Sequence, residues 1–499
     1  MLLSFLLLPL TGALLLALQR DLGVRSAGRF AMIWSVFTLL ITCGIGTGLE
    51  WTMPWLPESG MDLRFKLDGI SYLFVVLTSL LTVFAVVASF LYANGDRAYF
   101  SLILVLQSAL FGVFTARHFI PWFLAWEMTL IPSYFLIRLW GGVNAPRAAL
   151  RFFMMTLGGS AFMLVGFLTL QLAVGTMDFD RLALLASEAK LAPAMATAFG
   201  VNGHTLLTAV ALAVWVGLAV KIPMVPFHAW LPAAYAEAPT PVTLLLTGLL
   251  SKMGVYGLLK VFLPVFPEVL PTLAPLLTWL AVATVVLGAF AALAQTDLKR
   301  MLAYSSVNHL GYCALAMAAV GTMHGDRSDI AAALSGMVLQ TFNHGIIAAT
   351  LFLGIGVLEH RSHGLRGLND FGGIRAKMPV FCGLFGIAVF ASVGLPGLSG
   401  FVGEFLIFRG AFAMVPSAAL VSVIGLLLTA VFLLRMLRKV FNGPLVAGAS
   451  KFNDLAGSER WLFGVAVFLI VIYGLSPGLL LRFANPGILE LLDLLSPLP

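Results

Sequence analysis

This 499-residue chain is short of charge: only 10% of its residues are Asp, Glu, Lys or Arg, against roughly 25% in soluble domains. A surface that poor in charge does not stay dissolved, so a cytosolic enzyme and a secreted domain are both excluded. Cysteine is nearly missing too. Cys43, Cys313 and Cys382 lie far apart in apolar runs, which leaves no disulfide framework and no Cys-rich iron–sulfur or zinc site. There is no P-loop and no G-x-G-x-x-G. Gly44, Gly46 and Gly48 come close, but they end an apolar stretch instead of joining a strand to a helix. With no nucleotide, flavin, haem or metal motif, the chain reads as carrying no cofactor of its own.

Hydrophobicity is what the sequence has. Hydrophobic residues make up 60% of it, and the mean hydropathy is +1.01. At about 20 residues per membrane-spanning helix plus connections, the length predicts roughly fourteen spans. Apolar stretches fall at 2–19, 30–49, 67–92, 98–116, 119–140, 152–177, 205–227, 241–263, 272–294, 301–321, 330–358, 378–412, 416–437 and 460–483. The first starts at Met1 with no basic leader, so it reads as a span and not as a cleaved signal peptide. The longest loops are 178–204, 359–377 and 438–459, and no linker is long enough to separate soluble domains.

Fourteen spans put both termini on one side. Lys and Arg in alternate loops then number eighteen in the set that starts with Arg20 and nine in the opposite set, with Lys221 and Lys252 inside spans. This twofold bias assigns the first set to the cytoplasm and both termini to the outer, periplasmic side. It also accounts for the net charge of +7 without any nucleic acid. The expected fold is all-α and polytopic, in a bacterial inner (plasma) membrane.

Charged side chains at mid-membrane cost about 2.5–3.5 kcal/mol each on insertion scales, so each needs a reason. Glu127 sits in FIPWFLAWEMTLIPSYF, Lys221 follows LLTAVALAVWVGLAV, Lys252 lies in TLLLTGLLSKMGVYGLL and Glu404 in GLPGLSGFVGEFLIF. His309 (SSVNHLGY) and His344 (LQTFNHGIIAAT) complete the set, with His228 in the loop-like PFHAWLP. Plain structural roles exist for each. Glu127 and Lys221 suit an ion pair locking two helices, Lys252 a side chain snorkelling to an interface, and the histidines interhelical hydrogen bonds or, for His228, a place at a rim. Together, alternating acids, bases and imidazoles in hydrocarbon read as a proton relay. Burial disfavours the charged form of Lys and Glu alike, and a nearby opposite charge restores it. An ion pair that opens and closes is therefore a gate on proton transfer, from Lys221 to Lys252, the histidines and Glu404.

Two spans look interrupted. Pro223, Pro226 and Pro232 follow Lys221, and Gly394, Pro396, Gly397 and Gly400 precede Glu404. Unwound backbone at depth is tolerated only beside protein or a water-filled cavity, and paired breaks at charged sites point to transport. Glu127 to Lys221 is 94 residues and His309 to Glu404 is 95. That spacing is compatible with two five-helix repeats, spans four to eight and nine to thirteen. Each covers an odd number of helices, so the second would be inverted.

At these residues the sequence resembles a known family. WEMTLIPSYFLI, KIPMVPFHAWLP, TGLLSKMGVYGLLKVFLP, AQTDLKRMLAYSSVNHLGY, FNHG and GLPGLSGFVGEF look like the antiporter-like M subunits (NuoM, or chain 4) of respiratory complex I, which are related to Mrp antiporters, over about 100–440. The resemblance implies fourteen helices with broken seventh and twelfth members: helices 1–3 in 1–97, a first antiporter-like repeat in 98–263, its inverted partner in 272–437, and a loop with helix 14 in 438–499. It implies that Glu127, Lys221 and Lys252 are the pumping residues of helices five, seven and eight. By the same likeness Glu404 is the helix-twelve glutamate typical of M subunits, His309 and His344 join the centre to the exit, and His228 lies near the gate. One departure stands out. Where the family usually reads LPDAH, this chain has Leu231, Pro232, Ala233, Ala234 and Tyr235, losing an acid and an imidazole from the cytoplasmic side while keeping Glu237.

Moving one charge against 100 mV takes about 2.3 kcal/mol, and nothing in this chain supplies it. The resemblance therefore implies partners: antiporter-like L and N subunits, small membrane subunits, and a peripheral redox arm holding NADH, FMN, iron–sulfur clusters and quinone, all within surrounding lipids. PTPVT (239–243) leans toward the L subunit or a cation/proton antiporter, whereas Glu404 argues for M. The alternatives are a subunit of a cation/proton antiporter, a hydrogenase- or ferredoxin-linked complex, and a non-pumping structural spacer.

Overall fold

The computed structural model describes residues 1–19, 23–56, 61–93 and 95–495; Arg20, counted above among the cytoplasmic cations, lies outside them. The chain opens with α1 (Leu2–Leu6), α2 (Leu8–Leu18) and α3 (Val24–Ile45), then an antiparallel hairpin of β1 (Leu49–Leu56) and β2 (Met61–Leu67). α4 (Gly69–Tyr92), α5 (Arg97–Thr115), the pair α6 (Phe119–Met128) and α7 (Leu130–Trp140), and α8 (Ala145–Val174) follow. α9 (Phe179–Ser187) and α10 (Leu191–Phe199) lead into α11 (Gly203–Lys221), which breaks before α12 (Leu231–Glu237). One rod, Thr240–Val265, is assembled from α13 (Thr240–Leu245), α14 (Ser251–Gly257) and α15 (Leu263–Val265) with π turns between them.

The remaining helices are α16 (Leu270–Ala294), α17 (Leu298–Val320), α18 (Arg327–Arg361), α19 (Pro379–Val393), α20 (Ser399–Met414), α21 (Pro416–Phe441), α22 (Gly457–Leu475) and α23 (Gly478–Leu494). Among the described residues eleven helices are long and apolar enough to cross a membrane, or twelve if α9 and α10, which meet at 99°, count together. The expected fourteen is not reached by that measure, for physical reasons. α2 has only 11 residues. α17 is long enough but carries Lys299, Arg300, Asn308 and His309. The stretch 378–412 is split into α19 and α20 at the turn that starts with Gly394. The hairpin, the helices within the expected loop 178–204 and the amphipathic α23 were not legible as hydrophobic runs.

Burial sorts these helices by solvent. α3, α8 and α21 present rows such as Ile33, Phe37 and Leu40, Leu150, Met154 and Val165, and Leu420, Leu427 and Val431 outward. Water does not tolerate such rows, and lipid does. The Thr240–Val265 rod and α18 are instead buried along their whole apolar length, so the molecule is built around them. The first and last helices meet the same face: α1 packs on the hairpin, and the end of α23 shares a cavity with Arg117, whose backbone bonds to Arg64 of that hairpin.

Three cations assigned above to loops are drawn into the protein. Arg117 pairs with Asp68, which Lys260 also reaches at 2.9 Å, and Lys299, 2% exposed, pairs with Glu359 at 2.7 Å. Close helix contacts are made by glycine. A Cβ at Gly336 of α18 would stand 2.6 Å from the Ile407 nitrogen of α20, so only glycine lets these two helices meet at the depth where Glu404 sits.

Candidate functional site

Lys252 is fully buried between the two π turns of the central rod. Such turns frequently mark functional positions. Its ammonium donates to His344 Nδ1 (2.7 Å), Thr247 O (2.5 Å) and Ser251 Oγ (3.4 Å), so all three protons have partners and snorkelling is ruled out. With Nδ1 of His344 accepting, the imidazole proton is assigned to Nε2.

The His344 ring stands 5.2 Å from that of His309, centroid to centroid. A cavity of about 10 Å³ for a water centre adjoins His344, lined on its polar side by Ser305, Ser306, His344 and Ser392. That is room for about one water. Ser392 Oγ lies 3.2 Å from His309 Nε2, and His309 Nδ1 lies 3.0 Å from Glu404 Oε1. Gln340 Nε2 donates to the same carboxylate oxygen at 3.2 Å. The second carboxylate oxygen points to Gly394, where a Cβ would stand 2.8 Å from it and where φ is +85°. The break between α19 and α20 therefore provides the space and the backbone turn beside the carboxylate.

Neighbouring polar groups fix this arrangement. Asn308 donates to Val285 O (2.8 Å) and accepts from Thr429 (3.1 Å), locking the turn that presents His309. Asn343 donates to Ser399 O (2.8 Å), tying α18 to the start of α20.

Glu127 and Lys221 form a second cluster. Lys221 is the last residue of α11, 1% exposed, with Nζ 3.4 Å from Thr129 Oγ1 and over the rings of Trp126 (5.4 Å) and Phe152 (5.9 Å). A helix C-terminus and aromatic faces both favour a cation. Glu127 is half-buried with Oε1 shielded from solvent and without a hydrogen-bond partner. The two side chains feel each other electrostatically but are not in contact, so the locking ion pair is not what holds α6 to α11. His228 lies apart, half-buried on the short turn Phe227–Trp230, its ring 6.2 Å from Tyr304.

The structure thus brings Lys252, His344, His309 and Glu404 into one line, keeps Glu127 and Lys221 as a separate neighbouring pair, and leaves His228 outside both. Gln340, Ser392, Thr247 and Ser251 were missed by sequence reasoning. Gln340 had a signal, since it lies four residues before His344 and shares its helix face. Among the described residues no group of three or more His, Cys, Asp or Glu side chains is placed to hold a metal ion.

A lipid-facing helical shell around a buried line of titratable groups defines a polytopic membrane protein of the ion-translocating class. Residues 116–429 match the family described as NADH:quinone oxidoreductase/Mrp antiporter, transmembrane. The NADH-quinone oxidoreductase subunit M of Rickettsia bellii is 34% identical over 88% of this chain and 84% of its own length. A chain of respiratory complex I from Thermus thermophilus with bound NADH superposes with a TM-score of 0.84 at 27% identity, covering 100% of each chain. A chain of the Mrp complex from Dietzia sp. shares the fold, with a TM-score of 0.80 at 21% identity over 98% of this chain and 97% of its own. The chain belongs to the NADH:quinone oxidoreductase/Mrp antiporter membrane family, and its curated relatives include proteins named subunit M and others named NAD(P)H-quinone oxidoreductase chain 4.

Proposed function

We propose that this chain is the proton-translocating M-type subunit of a complex I-type NADH:quinone oxidoreductase in a bacterial inner membrane, with both termini on the periplasmic side. It contributes no redox chemistry. NADH, FMN, iron–sulfur clusters and quinone belong to the peripheral arm and its neighbours, and L- and N-type subunits flank this one. Residues 98–263 and 272–437 act as inverted repeats, one ending at Lys252's rod and the other containing Glu404.

The observation that carries this reading is the line Lys252–His344–His309–Glu404, in which two contacts of 2.7 and 3.0 Å are joined across a site for one water. A proton held on the Lys252 amine passes to His344 Nδ1, and that imidazolium gives its Nε2 proton to the water. Ser392 relays it to His309, and His309 gives its Nδ1 proton to Glu404. Once Glu404 releases its proton outward, Lys252 is left as a neutral amine and both imidazoles are left in the opposite tautomer, so the line resets when Lys252 takes up a new proton and His344 and His309 exchange their ring protons. The pair Glu127 and Lys221, open here, is the gate. Closing it draws a cation and an anion together, and opening it frees Lys221 to exchange with the centre. The 2.3 kcal/mol or so needed per charge per 100 mV arrives as movement from neighbouring subunits.

The test is the intact complex in liposomes, with proton movement measured against quinone reduction. Pumping that falls in Lys221→Ala and Glu127→Ala while electron transfer is assembled supports the reading. Unchanged pumping in both makes the chain a spacer. Sodium-driven proton flux by this chain alone makes it an antiporter subunit.

A further inference from the structure

On the face opposite the hairpin, a cavity of about 480 Å³ opens between α12, the start of the central rod, and the end of α18. Lys299 forms its floor, donating to Glu359 Oε2 (2.7 Å) and to Ala238 O (3.3 Å). Arg366 closes the far side on Asp297 (3.2 Å), with Glu237 and Glu359 each at 3.9 Å. Lys299 is therefore a buried ammonium at the inner end of an open cavity, and the relay described above does not use it.

Behind that floor the rod turns a stripe of hydroxyls inward. Thr243 Oγ1 donates to Ala238 O at 3.3 Å, the same carbonyl that accepts from Lys299. Thr247 follows one turn on, and its Oγ1 lies 3.3 Å from Ser306 Oγ on α17. Ser306 lines the one-water cavity beside His344. Tyr235, which stands where the resembling motif has histidine, places its hydroxyl at Leu246 O (2.9 Å) alongside this stripe. Buried Thr and Ser ordinarily bond back to a carbonyl of their own helix. Ser306 does so, to Leu302 O at 3.2 Å, but it also meets Thr247 across helices, on the line from the open cavity to the centre.

We propose that the Lys299–Glu359 pair, with the hydroxyls of Thr243, Thr247 and Ser306, is the route by which cytoplasmic protons reach Lys252. The inference rests on the relay reading of Lys252. Lys299 gives one proton inward, and Glu359, protonated by cavity water, restores it. Each hydroxyl accepts one proton on oxygen as it releases its own, with water spanning Lys299 to Thr243 and Thr243 to Thr247. The Tyr235 hydroxyl, bonded to the side chains of Thr247 and Ser251, carries the proton to Ser251, whose Oγ lies 3.4 Å from Lys252 Nζ and hands it on. The Lys252 amine ends as an ammonium. One proton leaves the cavity, one appears on Lys252, and no other bond changes.

Two variants of the intact complex in liposomes test this. Lys299→Arg keeps the charge that holds Glu359, but a guanidinium does not release its proton. Thr247→Val with Ser306→Ala removes both hydroxyls and nearly keeps their shape. Both are expected to lower pumping per electron at least tenfold in assembled complex, and Thr247→Ser is expected to retain it. Wild-type pumping in Lys299→Arg would make that pair structural and overturn the proposal. Wild-type pumping in the double hydroxyl variant overturns it as well, and decides alone if the arginine variant does not assemble. Lys252→Met separates the two levels: if it pumps normally, the relay reading itself has failed. If it does not pump while the uptake variants do, only this route has failed.

Discussion

Replacing Lys252 by Met tests the central line at its most enclosed point. Three hydrogen bonds disappear, to His344 Nδ1, Thr247 O and Ser251 Oγ. Leaving the imidazole nitrogen unpaired in a dry site costs roughly 1–3 kcal/mol. Removing a fully buried ammonium relieves a desolvation penalty of several kcal/mol. The methionine side chain has nearly the same length, so these opposing terms are expected to leave assembly and melting temperature close to wild type. Transport has no such compensation. A proton passing position 252 must then cross mid-membrane without a base to hold it. Such an uncompensated charge costs about 2.5–3.5 kcal/mol. At 1.36 kcal/mol per factor of ten, pumping should slow by roughly 70- to 400-fold. The assay is dye-reported acidification in liposomes containing the intact complex, normalised to quinone reduction and to the amount assembled. Lys252→Arg should lose pumping as fully as Met, because it restores charge without a releasable proton. Pumping within threefold of wild type in fully assembled Lys252→Met would refute the reasoning.

Glu404→Gln keeps the side-chain shape and an acceptor for Gln340 and His309, but it cannot carry a proton, so pumping should fall more than tenfold with the melting temperature unchanged. Gly394→Ala places a Cβ 2.8 Å from Glu404 Oε2 at a φ of +85°, and a side chain in that backbone region costs about 1–2 kcal/mol. A lowered melting temperature and weakened pumping are expected together, read by thermal shift and acidification on the same preparation. Lys221→Met removes the ammonium held by Thr129, Trp126 and Phe152 while keeping the apolar stem, and should abolish coupling while native gels still show the assembled complex.

The membrane class was legible because hydrocarbon is an unforgiving solvent, in which a charge in a run of leucines has few innocent explanations, and five of the six titratable residues picked out on that ground, all but the half-buried Glu127, are buried. The two breaks were legible for a related reason, since Pro and Gly cluster where backbone must unwind, and both fall where expected, after Lys221 and before Glu404. Partner choice was not legible. Glu127 and Lys221 read as a contact pair, yet each finds other surroundings in the structure, because side-chain partnership depends on helix rotation that hydropathy does not encode. Lys299 was counted as a loop cation because it falls between the apolar stretches 272–294 and 301–321. It is buried because α17 starts inside the protein under the end of α18. The hairpin β1–β2 was missed although its strands, LEWTMPWL and MDLRFKL, alternate apolar and polar residues, because long apolar runs dominate the chain and each strand abuts one. Loss of the acid and imidazole from LPDAH read as a loss of polar lining. In three dimensions Tyr235 supplies a hydroxyl at that place, and the hydroxyl stripe behind it has no motif.

The two halves hold their titratable pairs in opposite states, and that asymmetry bears on how coupling works. His309 and Glu404 are in contact at 3.0 Å, whereas Glu127 and Lys221 are apart, with the lysine occupied by a hydroxyl and two aromatic faces. Bringing a unit charge pair to 4 Å at an effective dielectric of 20 yields about 4 kcal/mol. One charge crossing 100 mV requires about 2.3 kcal/mol. A single gate closure is thus of the right size to work against a membrane potential of that order, with a margin for imperfect transmission. A cation–π contact contributes only about 0.5–2 kcal/mol, so the open state is held by weaker interactions than the closed state would be. An outside force is needed to open the pair and not to close it. The energy from neighbouring subunits should therefore be delivered as a displacement of α6 away from the end of α11, and a disulfide engineered to hold those helices together should arrest pumping with Lys221 and Glu127 both intact.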